Sequence, residues 1–279
     1  MPLEDDFSDI IKKARMGMAM PVGDLARISG LFAAEITALE RGARPPTPDE
    51  VRALASALKL REAPLEQIAL QGWTPASVPG TFKAVKTVNG SVGGYAVKGY
   101  LLHDAGEVVM IDTGYNAPAM IELIERHQLR LKAVCLTHGH SDHADGIEQI
   151  LARWKVPIYL GGEDETLLSW RPPSGLVSPD DEAKLAVGSM TVTCLRTPGH
   201  TPGGICYQVT SAGQPLCFVG DTLFAGSIGR ANPFPLYPTH LDSVRRRVLG
   251  LDPASLLLPG HGPATTVREE LDHNPFYSS

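Results

Sequence analysis

"LTHGHSDHADG", residues 136–146, sets three histidines and two aspartates within eight positions of a chain that has only nine histidines in 279 residues. His138 and His140 follow the strand-like run "LKAVCLT". In extended chain, side chains two residues apart point the same way, so both imidazoles can reach one cation. Asp142 and His143 stand at the start of the helical run "ADGIEQIL", where a turn swings them towards a second cation beside the first.

Three more ligand types stand downstream. His200 is in "RTPGHTPGG", Asp221 closes "LCFVGD", and His261 is in "LLLPGHG". Strand ends and glycine-rich turns let side chains converge with no helix in the way. A single HxH would read as a polar loop, but HxHxDH with three further ligands reads as a centre for two metal ions. Nitrogen ligands and a shared carboxylate hold each ion and leave a position for water. Two ions about 3.5–4 Å apart bring the pKa of a bridging water towards neutrality and polarise a carbonyl. Imidazole with carboxylate suits Zn²⁺, and also Fe²⁺ or Mn²⁺.

The rest of the composition narrows the setting. The chain is 43% hydrophobic and 20% charged, with 28 Gly and 23 Pro, which favours a loop-rich fold over a bundle. A net charge of −6 gives no electrostatic pull towards nucleic acid or an anionic membrane. The start, "MPLEDDFSDIIKKARMG", has acids where a secretory signal needs bases, and no apolar run reaches the roughly 20 residues of a bilayer span. Cys135, Cys194, Cys206 and Cys217 lie in apolar runs without CxxC spacing and are expected as buried free thiols. A cytoplasmic protein with a small-molecule substrate and no membrane partner is expected.

Residues 7–70 carry helical periodicity in "DFSDIIKKARMGMAM", "VGDLARISG", "FAAEITALERG" and "TPDEVRALASALKL". Thr47-Pro48-Asp49-Glu50 is a helix start, and Gly30 and Gly42 sit where short helices stop. From about residue 80 the runs become short and β-rich: "KAVKTV", "GYAVKGYLLH", "EVVMIDTG", "LKAVCLT", "VPIYL", "MTVTCLRT", "GICYQVT" and "LCFVGD". "DAGE" (104–107) reads as a hairpin turn, and "APAMIELIERHQ", "GIEQILARW" and "HLDSVRRRVLG" as helices between strands. The expectation is an α/β fold in three parts: a small all-α domain over 1–72, a linker over 73–81 and a catalytic domain over 82–279.

From about residue 80 onward the chain resembles the metallo-β-lactamase-fold superfamily, on "THGHSDH", "TPGHTPGG", "FVGDTLF" and "LPGHG" in that order. The resemblance implies an αβ/βα sandwich with a dinuclear site at its edge. It implies that His138, His140 and His200 hold one ion, that Asp142, His143 and His261 hold the other, and that Asp221 bridges them. Asp142 and Asp221 are then the catalytic carboxylates. Asp112 in "MIDTG" is implied as an orienter of ligands. "GDTLFAGSIGR" (220–230) and "HNPF" (273–276) resemble the glyoxalase II (hydroxyacylglutathione hydrolase) branch, which implies thioester hydrolysis. Lactonases and mononuclear-iron persulfide dioxygenases share the fold and stay as alternatives. Ala231-Asn232 followed by "PFPLYP" departs from that branch and is expected to line the mouth of the site. Arg230 and Tyr237 are the candidate substrate-binding residues, with His240 behind them.

Residues 8–62 resemble the helix-turn-helix domain of phage-repressor-type regulators, with "DLARISG" as second helix and turn and "FAAEITALERG" as recognition helix. Positions that would face DNA read Val22, Phe32, Ala33, Ala34 and Glu35, none of which pairs with a base edge. Dimerisation or packing through Phe32 is therefore expected ahead of DNA binding. A transcriptional regulator with a metabolite-sensing hydrolase domain is the alternative from another functional class.

Overall fold

The computed structural model describes residues 2–76, 83–210 and 213–277. Five helices precede the first strand: α1 (Phe7–Gly17), α2 (Val22–Ser29), α3 (Ala33–Leu39), α4 (Pro48–Leu58) and α5 (Glu62–Gln71). Local chemistry fixes their ends. The Asp6 carboxylate accepts from the Ser8 and Asp9 amides at the start of α1. Thr47 and Glu50 form a reciprocal capping box on α4, with Pro48 in the first turn. Gly30, left-handed at φ 74°, ends α2 three residues before α3 begins. Helix α5 was not apparent in the periodicity, because Pro64 interrupts its first turn and apolar residues are spread around it.

The remainder is a two-sheet sandwich. The first sheet runs β1 (Val85–Val92), β2 (Tyr95–Asp104), β3 (Glu107–Ile111), β4 (Arg130–Cys135), β5 (Ile158–Tyr159) and β6 (Leu176–Val177) in that order. It is antiparallel over β1–β3 and parallel from β3 to β6. Helices α6 (Ala117–Arg126), α7 (Ser141–Ala144) and α8 (Ile147–Arg153) connect its parallel strands. The second sheet comprises β7 (Lys184–Val187), β8 (Met190–Arg196), β9 (Ile205–Thr210), β10 (Leu216–Gly220), β13 (Leu256–Pro259) and β14 (Thr265–Thr266), in the order β14-β13-β10-β9-β8-β7. A small hairpin, β11 (Leu223–Phe224) with β12 (Ser227–Ile228), lies between β10 and helix α9 (Tyr237–Ser243). Helix α10 (Val267–His273) follows β14.

Strand alternation sets the layers. On β3, Val109 and Ile111 face the core between the sheets, while Val108 and Met110 face the α6–α8 side. On β10, Phe218 faces the inter-sheet core, while Cys217 and Val219 face outward. That outward face is covered by α9 and by α1–α5, whose Ile10, Ile11, Leu25, Leu54 and Leu65 belong to the same buried cluster as Val219 and Leu257. The order of layers is thus helices, sheet, sheet, helices. All four cysteines are buried and free.

At the predicted linker, Trp73 stacks on His273 with ring centroids 4.9 Å apart, and residues 77–81 lie outside the described residues. Among the described residues no helix is long and apolar enough to cross a membrane.

Candidate metal centre

Every candidate ligand lies in a segment that follows a strand. His138 and His140 follow β4, Asp142 and His143 lie on α7, and His200, Asp221 and His261 follow β8, β10 and β13. The two sheets bring their strand ends to one edge, where donor atoms form three overlapping groups: His138/His140/His200, His138/Asp142/His143 and His143/Asp221/His261. In each group the atoms lie within 4.8 Å of one another. His200 Nε2 is 3.1 Å from His140 Nδ1, and His261 Nε2 is 3.2 Å from Asp142 Oδ2. Asp221 lies between the two halves, with Oδ1 3.2 Å from His143 Nε2 and Oδ2 3.7 Å from His200 Nε2.

The outer hydrogen bonds decide which ring nitrogen is free to ligate. His143 Nδ1–H donates to Asp112 at 2.8 Å, His200 Nδ1–H to the Arg230 carbonyl at 2.9 Å, and His261 Nδ1–H to the Ala96 carbonyl at 2.6 Å. Thr137 Oγ1 donates to Asp112 Oδ2, so it accepts from His138 Nδ1, 3.0 Å away. Each of these rings therefore turns the lone pair of Nε2 inward. The Nε2 atoms of His138 and His143 and the Oδ1 of Asp221 are buried with no protein hydrogen-bond partner. Orphaned buried acceptors aimed at one point are costly unless something else binds them. The donor set fits two divalent cations.

Electrostatics divide the imidazoles: burial pushes His138, His140 and His200 down, whereas the carboxylates beside them hold His143 and His261 up. Burial pushes His200 down to about 4 and His138 well below its ordinary range. His143 differs: burial disfavours its charge, but Asp221 and Asp112 outweigh that and hold its pKa high. Burial would raise Asp221, and the surrounding histidines, His143 foremost, hold it well below the usual range. Close approach has a steric condition too. A Cβ on Gly260 would come 2.4 Å from His143 Cε1 and 2.6 Å from Asp221 Oδ1, so only glycine leaves those two side chains in place.

Asp112 lies where ligand loops meet, accepting from the Thr137 amide, the Thr137 hydroxyl and His143. Its backbone is left-handed (φ 53°), a strained conformation for a non-glycine residue. Arg230 borders the cavity above the centre. Tyr237 does not border it: it is buried against Gly17 of α1. The "PFPLYP" segment likewise does not border the cavity; it forms a 3-10 turn leading into α9. His240 is fully buried behind the His200 turn, where burial pushes it down to about 3 and keeps it neutral.

Sequence reasoning missed two supports. Buried Asp164 accepts from the Gly139 amide (3.1 Å), the Thr201 hydroxyl (2.6 Å) and the Gly203 amide (2.7 Å), and so fastens the His138–His140 turn to the His200 turn. Buried Lys98 on β2 bonds the Gly262 carbonyl beside His261, and burial brings its ammonium down to about 8. A lysine inside the apolar run "YAVKGYLL" was the only available signal for the second; the first has none.

This fold and donor set define the superfamily. The family model for the metallo-beta-lactamase superfamily matches residues 92–261, and the chain belongs to that superfamily. It is 31% identical over 202 residues to a probable metallo-hydrolase, YqgX, of Bacillus subtilis, covering 66% of this chain and 94% of that one. It is 33% identical over 193 residues to the hydroxyacylglutathione hydrolase GloC of Haemophilus influenzae, covering 63% and 90%. Among solved structures, it is similar to the BLEG-1 B3 metallo-beta-lactamase (28% identity, TM-score 0.62, 70% of this chain and 100% of that one). It is also similar to TTHA1623 in a di-iron-bound form (28% identity, TM-score 0.57, 68% and 100%).

Proposed function

We propose that the chain is a dinuclear metal-dependent hydrolase of thioesters or closely related activated esters. The observation that carries this reading is the convergence of seven donor side chains, three of whose inward atoms (His138 Nε2, His143 Nε2 and Asp221 Oδ1) are buried with no hydrogen-bond partner. In this reading His138, His140 and His200 hold one ion, Asp142, His143 and His261 hold the other, and Asp221 reaches both. What such a pair of ions supplies when bound is polarisation of a carbonyl and ionisation of a shared water near neutral pH. The ions are zinc in this reading, with iron or manganese as competitors on the same donors.

The chain's own residues do the rest. Asp112, Thr137 and the Arg230 and Ala96 carbonyls engage Nδ1 of His143, His138, His200 and His261, which leaves Nε2 of each as the ligating atom. Asp142, the least buried of the ligand carboxylates, is the one placed to take up a proton released by water. A thiolate leaves without protonation, so no dedicated general acid is required. Resemblance to a hydroxyacylglutathione hydrolase supports the thioester class.

We read residues 1–72 as a helix-turn-helix unit serving association, joined through 73–81 to the catalytic unit at 82–279. Phe32, 77% exposed, and Ile28, 50% exposed, lie on its outer side and fit a contact between two copies of the chain. The test of the reaction is direct. Protein loaded separately with zinc, iron or manganese should hydrolyse members of an acyl-glutathione and acyl-thioester panel; metal-replete protein that leaves the whole panel untouched defeats the thioester reading.

A further inference from the structure

The cavity over the metal centre, about 560 Å³, is closed on one side by a segment that holds none of its ligands. Glu4, Asp5, Asp9, Lys12, Lys13 and Met16 border it, facing His140, His200 and Arg230. This segment is anchored at several points. Lys13 pairs with Asp5, donates to the Ile228 carbonyl at 2.8 Å and lies 5.0 Å over the Phe224 ring. Glu4 packs so closely on Gly262 that a Cβ there would come 3.0 Å from the Glu4 nitrogen. At the far end of α1 a Cβ on Gly17 would come 2.4 Å from the Tyr237 ring. Phe7, Ile10, Ile11 and Ala14 bury the other face of the helix. So α1 is a fixed wall of the site.

The charges on that wall are not all committed. Lys13 and Asp5 neutralise each other, and Asp9 belongs to the capping box of α1. Exposed Lys12 has no hydrogen-bond or ion-pair partner among the described residues. Arg230 across the cavity uses only its backbone carbonyl, on His200, and its guanidinium is likewise unpaired among the described residues. Glu4 is the one acid on that wall likewise without a side-chain partner among the described residues, so the two free cations outnumber it and suit an anion carried by the substrate.

We propose that α1 is the specificity wall of the metal centre, and that Lys12 with Arg230 holds a carboxylate or phosphate on the thiol portion of the substrate, away from the scissile carbonyl. The inference rests on the thioester reading for the reaction but not for the binding. Carboxylate and phosphate carriers are separated by three acetyl thioesters: S-acetylglutathione, acetyl-coenzyme A and neutral S-acetyl-N-acetylcysteamine.

With zinc-loaded full-length protein, wild type should show the lower KM for one of the charged thioesters. K12A and R230A should each raise that KM about ten-fold, and K12E more, with metal content by elemental analysis unchanged. The preference over the neutral thioester should then shrink. K12A and R230A leaving the charged KM unmoved would overturn the proposal, as would a wild type that does not distinguish charged from neutral thioesters. Calorimetric titration with S-methylglutathione and with desulfo-coenzyme A separates the two levels. If no thioester is cleaved yet one analogue binds and weakens about ten-fold in K12A, the reaction reading fails and the wall stands. If neither analogue binds and none is cleaved, both fall.

Discussion

Replacing Asp164 by alanine removes a buried side chain that fastens together the two turns holding His138, His140 and His200. Three donors lose their acceptor: the Gly139 amide, the Gly203 amide and the Thr201 hydroxyl. The hydroxyl can rotate elsewhere, which leaves two backbone amides. Each buried donor left unpaired costs about 1–3 kcal/mol, so the site has about 2–6 kcal/mol to lose between stability and ion binding. Loss of comparable outer support weakens metal binding about 10- to 100-fold, or about 1.4–2.8 kcal/mol. The loss should be lopsided. Asp142, His143 and His261 share no hydrogen bond with Asp164 among the described residues, so one ion per chain should weaken and the other hold. D164N, which keeps one acceptor oxygen, should fall between. Chelator competition followed with zinc, with stoichiometry checked by elemental analysis, reads both sites. Two ions bound by D164A with wild-type affinity at each would refute the argument.

Gly260→Ala should cost the centre at least one ion and lower any hydrolytic activity by more than about 100-fold, because the new Cβ overlaps His143 and Asp221; elemental analysis showing two retained ions would contradict the steric argument. Burial raises Glu270 to about 7 despite the Thr265, Asn274 and Gly226 donors. A carboxyl raised on folding ionises first in the unfolded chain, so its destabilising effect sets in above pH 4.5 and is complete above 7. E270Q should therefore gain in Tm relative to wild type from pH 5 to pH 8, and a pH-independent difference in thermal melts would count against this. Phe32→Asp should convert dimer to monomer in light scattering, and a wild-type protein already monomeric at tens of micromolar would remove the proposed association surface.

The metal centre was legible because its chemistry is written locally. HxHxDH sits in one loop, and His200, Asp221 and His261 each stand at a strand end or between glycines. Each of the eight β-rich runs contains all or part of a strand of the structure, since buried strands announce themselves by apolar content. What escaped notice depends on distant contacts. Asp164 lies 25 residues from Gly139 and 39 from Gly203, and nothing near it signals that it bonds both. The two-residue strands β5, β6, β11, β12 and β14 are too short to carry a period, and of these only β5 fell inside a recognised run. The placing of Tyr237 under α1, and of Lys12 at the cavity, depends on how the helices settle on the second sheet. Periodicity reports which face of α1 is apolar but not what that face will meet.

His138, His140, Asp142 and His143 follow a strand of one sheet, whereas His200, Asp221 and His261 follow strands of the other. Cations held as proposed would act as rivets through the sandwich, since the groups His138/His140/His200 and His143/Asp221/His261 each draw on both halves. Above the dissociation constant, each tenfold rise in free ion then adds about 1.4 kcal/mol of resistance to unfolding. Metal starvation would thus be felt twice, as lost turnover and as a shorter lifetime against proteases.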